Sequence, residues 1–287
     1  MPDQLPVFDL AAVNSAIAAT SFAGHLHHLS ATSSTNDLAL KAAQAGAGIG
    51  VWIADQQIAG RGRGAHTWHS PAGTGLYMTA LAAPPIPLQS ALTLSFGVAV
   101  AVQSAIVTVT GLQRPNQIDI RWPNDLMLNG RKCGGILIDT ASSPATASQP
   151  AKLRYAVIGI GINVNHAAFP PELDAIATSL RRELPDSSQP LPREPLAAAI
   201  LVALDEEIRL MIRGWRGANH RSGRDLAQFS SWIKGKRVRV EARDPTPNDP
   251  APGYTGTTAG LDPSGFLLVD GDDGKLHTVL SGGLREP

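Results

Sequence analysis

The chain has 287 residues, 43% of them hydrophobic, and its 24 basic side chains balance 24 acidic ones. This length and composition allow a large and a small domain with a buried core, and the zero net charge excludes a strong overall attraction to nucleic acid or acidic membranes. The single cysteine, Cys133, excludes an internal disulfide and fits a buried position in a protein from a reducing compartment.

The N-terminal segment has no basic region followed by a long apolar core, so it does not resemble a signal peptide. No apolar run reaches the ~18 residues that a membrane span requires. We therefore expect a cytoplasmic protein that binds no membrane.

Mixed helices and strands are predicted along the first part of the chain. Caps at both ends indicate a helix over SSTNDLALKAAQAG. The apolar runs IGVWIAD and GLYMTAL predict strands on either side of a loop rich in glycine and arginine. Residues 92–109 are apolar and rich in alanine, which favours a buried helix.

Further along, Asn129-Gly130 fits the turn of a β-hairpin between LML and GGILID. A polar loop, SSPATASQPAK, precedes another strand, YAVIGIGINVN, and residues 197–212 have the apolar spacing of an amphipathic helix. This order indicates an α+β domain, in which helices pack on a mixed sheet, without regular β–α alternation.

After Trp232 the sequence consists of short strand candidates separated by Gly, Pro, Asp and Ser. That pattern is typical of a small antiparallel β-barrel. We predict a catalytic domain over residues 1–232 and a small β domain over residues 233–287.

The loop AGRGRGAHTWHSPAGTGLY combines residues that suit anion binding. Glycine permits close backbone approach to a ligand, and arginine presents a fork of donors to carboxylate or phosphate. An arginine-glycine segment that touches RNA is the alternative, but such segments repeat many times in disordered surroundings. This one occurs once, between strands, so the pattern favours an anion-binding loop.

Two other stretches are ambiguous on their own. VIGIGIN lacks the third glycine of a dinucleotide-binding motif, so a strand beside a pocket is the better interpretation. No P-loop motif is present. In RWPNDLMLNGRKCGGIL, Lys132 follows the hairpin turn and Asp125 follows Pro123; taken singly, they fit a solvated lysine and a turn former.

The order of SSTND, QQIAGRGRGAHTW, SPAGTGLYMT, RWPNDLMLNGRKCGGILID and VIGIGINVN resembles the biotin–protein ligase family. The resemblance implies the class II synthetase-like fold of that family, with an SH3-like C-terminal β-barrel. It also implies that biotin's carboxylate is activated with Mg²⁺ and ATP to biotinyl-5′-AMP. Biotin then passes to one lysine of a biotin carboxyl carrier protein domain of a biotin-dependent carboxylase.

The resemblance also assigns site residues. Its biotin-binding positions are Ser34, Thr35, Asn36, Gln57, Arg61, Gly62, Arg63 and Lys132. Its ATP or adenylate positions are Arg61, Arg63, Trp68, Asn124 and Lys132, with Trp122 and Asp125 in the same WPND turn. The catalytic candidates are Arg63, Lys132 and Asp125, the last as a possible general base for transfer; no metal ligand is assigned.

Simple electrostatics agrees with these assignments, because two anions must be brought together and fixed cations offset their repulsion. A glycine-rich loop that closes over the ligands would also shield a reactive anhydride from water. The chain departs from the family pattern at Ala65 and His66, where a Gly-Arg pair is usual. A mostly neutral histidine there is expected to contact phosphate more weakly.

The segment before Ser30 is short for the DNA-binding domain that many family members carry, so we expect a monofunctional ligase that binds no DNA. Two alternatives remain. One is a lipoate or octanoyl transferase on the related fold, which GRGRG and WPND disfavour. The other is a non-catalytic module that only binds biotin or nucleic acid.

Overall fold

The computed structural model describes residues 7–64, 66–88, 91–113, 117–144, 151–185, 189–216, 230–241, 253–262, 264–280 and 282–287. The helices are α1 (Leu10–Ala16), α2 (Thr35–Gln44), α3 (Ala91–Thr110), α4 (Pro171–Asp174), α5 (Leu180–Glu183) and α6 (Arg193–Arg216). The first strands are β1 (Leu26–Leu29), β2 (Gly50–Ala54), β3 (Gly75–Ala82), β4 (Ile118–Arg121), β5 (Asp125–Leu128), β6 (Arg131–Ser142) and β7 (Leu153–Asn163). The remaining strands are β8 (Lys234–Glu241), β9 (Tyr254–Leu261), β10 (Leu267–Gly271), β11 (Leu276–Val279) and β12 (Gly283–Arg285).

The first seven strands form one mixed sheet in the order β1-β2-β3-β7-β6-β5-β4. Only the β1–β2 pair is parallel among these described strands. Alternate side chains of a strand point to opposite faces, and β3 divides accordingly: Leu81 packs with Ala39 and Ala43 of α2, whereas Met78 and Ala80 join the main core. Helix α2 therefore covers one face of the sheet.

The main core lies on the other face, beneath α3 and α6, which pack against each other. Helix α3 corrects the expectation that no apolar run is long enough to span a membrane. Its window Thr93–Thr110 is 18 residues long and is apolar enough to cross a membrane by length and composition. Most of that window is buried inside the fold, as in the core helix of a globular domain.

The helices and strands predicted in the first part of the chain are confirmed: they correspond to α2, β2, β3, α3, β7 and α6. Asn129 has φ 48° and Gly130 has φ 80°, the two positive angles that a type I′ hairpin turn requires. Helix α1 and strand β1 were not predicted, and residues 145–150 of the predicted SSPATASQPAK loop lie outside the described residues.

The C-terminal strands form a separate antiparallel sheet in the order β11-β10-β9-β8-β12. This confirms the small β domain, but the closed barrel was wrong for the residues that the structure describes. Strand β12, which was not predicted, is only three residues long and pairs with β8, while β11 pairs with β10, so the two edges do not meet.

The C-terminal segment is attached to the edge strand β4 of the large sheet. The Ser230 hydroxyl donates to the Ile120 carbonyl at 2.5 Å, and the Ser231 N–H donates to Asp119 Oδ1 at 3.0 Å. The division at residues 232 and 233 stays a prediction.

Candidate active site

The glycine-rich loop between β2 and β3 folds back on itself as a narrow turn. The Gly62 N–H donates to the His66 carbonyl at 2.8 Å, and the Trp68 N–H donates to the Gly60 carbonyl at 2.8 Å. A Cβ on Gly60 would lie 2.6 Å from the Trp68 carbonyl oxygen, closer than real Cβ contacts come. Glycine is therefore required where the two arms of the turn meet, and the turn brings Trp68 back against the sheet.

A network of polar side chains lies at the start of α2, beside this loop. Ser34, Thr35 and Asn36 are all buried. Gln57 Oε1 accepts from the Thr35 N–H at 2.9 Å and lies 3.1 Å from Thr35 Oγ1. Gln57 Nε2 donates to the Ser70 hydroxyl at 3.1 Å, which joins α2 to the segment after the loop. Buried polar groups that form such a network hold fixed positions.

Asn36 has capacity for a further hydrogen bond. Its Oδ1 lies 2.6 Å from the Thr79 hydroxyl, while its buried Nδ2 has no partner among the described residues. A Cβ on Gly159 would lie 2.1 Å from Asn36 Oδ1, so this position must be glycine for Asn36 to adopt its orientation. The unpaired donor marks where a ligand acceptor could bind.

Trp68 and Lys132 meet over a floor made by two glycines. Lys132 Nζ lies 5.4 Å from the centroid of the Trp68 ring, within cation–π range. A Cβ on Gly161 would lie 2.6 Å from Trp68 Nε1, and one on Gly135 would lie 3.4 Å from the same indole. The glycines of VIGIGIN thus leave room for site side chains, in agreement with the interpretation of that stretch as a strand beside a pocket.

Asp125 lies between two cations. Its Oδ1 is 2.5 Å from Lys132 Nζ, and its Oδ2 is 2.7 Å from Arg121 Nη2. Burial raises the pKa of the Asp125 carboxyl, but the charges and hydrogen bonds of Lys132 and Arg121 lower it by more. The pKa of Asp125 is therefore below its usual range. Asp125 is therefore an ionised and weakly basic partner of two cations, which makes it a poor general base in this arrangement.

The two arginines of the loop rest on oxygen atoms of the protein. Arg61 Nη1 lies 3.0 Å from Asp37 Oδ1 and 3.4 Å from Asp139 Oδ2, and its side chain is 41% exposed. Arg63 Nη1 donates to Asn124 Oδ1 at 3.3 Å. Exposed ion pairs contribute little to stability. An anionic ligand could therefore displace Arg61 from Asp37 and Asp139 at small cost.

Both parts of the chain match known protein families. Residues 29–163 match the biotin/lipoate A/B protein ligase family, and residues 235–283 match the biotin protein ligase C-terminal domain. The chain is 34% identical over 261 residues to the bifunctional ligase/repressor BirA of Bacillus spizizenii, covering 89% of this chain and 73% of that protein. It is 32% identical over 243 residues to the biotin–[acetyl-CoA-carboxylase] ligase of Mycobacterium tuberculosis, covering 83% of this chain and 80% of that protein.

The chain belongs to the biotin protein ligase family. A solved structure of the Aquifex aeolicus biotin protein ligase in complex with biotin and ATP superposes with a TM-score of 0.68 at 22% identity. The superposition covers 92% of this chain and 100% of that one, and it establishes the biotin ligase fold.

Most of the residues assigned by the resemblance to this ligase family lie around one region of the large sheet. Successive contacts through Ser70 join the polar start of α2 and Gln57 to Trp68 and Lys132. Arg61 contacts Asp37 of α2, and Arg63 contacts Asn124. Gly62 lies in the loop turn, His66 is exposed, and Ala65 lies outside the described residues.

Three residues near the WPND turn make contacts that the sequence did not indicate. Trp122 is buried, and its indole Nε1 points to the Gly265 carbonyl at 3.4 Å, toward the C-terminal sheet. Arg131 is ion-paired with Glu183. Arg121 was not singled out from the sequence, although it lies directly opposite Asp125 in the β4–β5 hairpin.

Proposed function

We propose that this protein activates biotin with ATP to form biotinyl-5′-AMP and then transfers biotin to a lysine of a biotin carboxyl carrier protein domain. The carrier is inferred from the family, in which one relative is named as a ligase for acetyl-CoA carboxylase. A cytoplasmic location is proposed with it.

The observation that carries this proposal is the convergence of three elements on one region. A glycine-rich loop with two arginines, a lysine facing the Trp68 ring and a buried polar network at α2 all lie together. The neutral ureido group of biotin suits the polar network at α2, which includes the unpaired Nδ2 of Asn36. Carboxylate and phosphate anions suit the cations.

In the first step a biotin carboxylate oxygen attacks the α-phosphorus of ATP, and pyrophosphate leaves. No protein nucleophile is required. Lys132, Arg61 and Arg63 stabilise the negative charge that develops on the transferring oxygens. Trp68 and the loop exclude water from the mixed anhydride.

In the second step the amine of the carrier lysine attacks the acyl carbon to form an amide, the bond from that carbon to the phosphate oxygen breaks, AMP leaves, and the proton lost from nitrogen passes to solvent. Asp125 lies close to this reaction through its contact with Lys132. Because Asp125 is already paired with two cations, its proposed role is to orient Lys132 and the incoming amine.

Magnesium is proposed to arrive with ATP. Among the described residues no group of three or more His, Cys, Asp or Glu side chains could hold a metal ion by itself. Mg²⁺ is commonly bound through substrate phosphates with few protein ligands, which fits this donor set. When bound there, the ion supplies charge neutralisation at the phosphates.

The proposal is tested by measuring pyrophosphate release with MgATP and one acid at a time. Release with biotin, and none when either biotin or ATP is omitted, is expected. Release with octanoate or lipoate in place of biotin would support the acyl transferase alternative. Biotin binding without pyrophosphate release would leave only a binding module.

A further inference from the structure

Arg121, the last residue of the edge strand β4, contacts the candidate active site through Asp125. Its side chain is 13% exposed, and its Nε and Nη2 atoms lie 3.2 and 2.7 Å from Asp125 Oδ2. Both donors of one guanidinium edge therefore hold a single carboxylate oxygen. This leaves the other oxygen, Oδ1, to Lys132 Nζ at 2.5 Å.

The other side of Arg121 is also occupied. Its guanidinium carbon lies 5.7 Å from the centroid of the Trp232 ring, and Lys236 Nζ lies 4.9 Å from the same ring. The contacts of Ser230 and Ser231 with β4 hold Trp232 beside this edge of the sheet. Arg121 is thus fixed between Asp125 and the segment that leads into the C-terminal sheet.

The charges of this cluster have a consequence for the site. Arg121 and Lys132 carry two positive charges and Asp125 carries one negative charge, so the three groups together carry one positive charge. Without Arg121, Asp125 and Lys132 would form a neutral pair. The neutral pair would present a weaker field to the substrate anions than the present cluster does.

We propose that Arg121 is a positioning residue for adenylate formation, which rests on the proposed function. It fixes the Asp125 carboxylate, and through it the Lys132 ammonium beneath Trp68. A lysine stem is flexible, so a second contact is needed to hold its ammonium in one place. In this proposal Arg121 acts through Asp125 and makes no contact with the substrates of its own.

Arg121→Gln tests this role through the kinetics of biotin-dependent pyrophosphate release. The expected result is a kcat lowered about 10-fold or more, with a smaller change in KM for biotin, because misplacement of a charged group affects the transition state most. Arg121→Lys keeps the charge without the fork and is expected to restore part of the rate. Arg237→Gln is the matched control, since Arg237 makes a similar two-donor pair with Asp272 on the C-terminal sheet.

A double-mutant cycle with Lys132→Ala separates positioning from general destabilisation. If Arg121 acts through Lys132, adding Arg121→Gln to Lys132→Ala lowers the remaining rate little further. Multiplicative losses, or Arg121→Gln with wild-type kcat, would overturn the proposal. If thermal melts show that Arg121→Gln does not fold, Arg121→Lys takes its place. A wild-type kcat for Arg121→Lys, or multiplicative losses when it is combined with Lys132→Ala, would then overturn the proposal.

A wild-type protein without pyrophosphate release would overturn the proposed function as well. An active wild type with an unaffected Arg121→Gln would overturn only this inference.

Discussion

Lys132 and Asp125 form an ion pair of 2.5 Å across the neighbouring strands β6 and β5. A β-bulge makes this pair possible. Leu126 pairs with Gly134, but Met127 pairs with Lys132, so Cys133 is the extra residue in β6. The bulge shifts Lys132 by one position and turns it to the same face as Asp125.

Lys132→Ala is expected to fold normally and to lose adenylate formation by roughly 10²-fold or more, the scale seen when one preorganised charge-stabilising group is removed. Lys132→Arg should restore little, because a planar guanidinium does not fit the compact site of an ammonium. Pyrophosphate release and thermal melts measure both effects.

The control for this series is Lys41→Ala, an exposed lysine on α2. Arg131 is unsuitable because its ion pair with Glu183 ties the hairpin to α5. Near-normal turnover of Lys132→Ala would mean that the stabilising cation lies elsewhere.

Gly161→Ala tests the floor beneath Trp68. The added methyl group would lie 2.6 Å from Trp68 Nε1, so the indole must move away from its place over Lys132. The KM for ATP or biotin is expected to rise about 10-fold or more, since displaced contact groups weaken ligand binding. Gly48→Ala is the matched control, because nothing lies within 4 Å of a Cβ at that position. Equal kinetics for the two variants would mean that the position of Trp68 does not affect ligand binding.

Local sequence patterns predicted much of this site. The start of α2 at Ser34, the Asn129-Gly130 turn and the glycine-rich loop depend on residues close together in the chain. For the same reason the family motifs located Gln57, the loop arginines and Lys132.

Contacts between distant segments were not predictable in this way. The bulge at Cys133 and the Arg131–Glu183 pair depend on how strands and helices meet in three dimensions. The turn of Trp122 toward Gly265 depends on where the C-terminal sheet docks. Short elements such as α1, β1 and β12 have too few residues to show a clear hydrophobic period.

Limited trypsin digestion tests the closing of the glycine-rich loop. Arg61 pairs with the partly exposed carboxylates of Asp37 and Asp139, and the glycines lose entropy when the loop is ordered, so the free loop should open often. Cleavage after Arg61 and Arg63 is expected without ligands and is expected to be suppressed by biotin with ATP. Cleavage after Lys41 is the internal control. Equal loop cleavage with and without ligands would contradict a closing loop.

The buried His166 predicts a pH dependence of stability. Burial, and then the nearby His69, lowers the pKa of His166 to about 4. The unfolded histidine takes up a proton near pH 6.5 while the folded one does not. Stability is therefore lost as the pH falls from about 6.5 to about 4, by an amount on the order of 3 kcal/mol. In urea unfolding, His166→Gln should lose less stability than the wild type over this range, and an equal loss would contradict the assignment.

The central claim is tested most directly by the intact mass of a purified biotin carboxyl carrier protein domain after incubation with this protein, biotin and MgATP. The account predicts a mass increase of one biotinyl group. The group should lie on a single lysine of the carrier, and the increase should be absent when ATP is omitted. It should also be strongly reduced with Lys132→Ala. An unchanged carrier mass, from a folded protein supplied with all three substrates, would contradict the account.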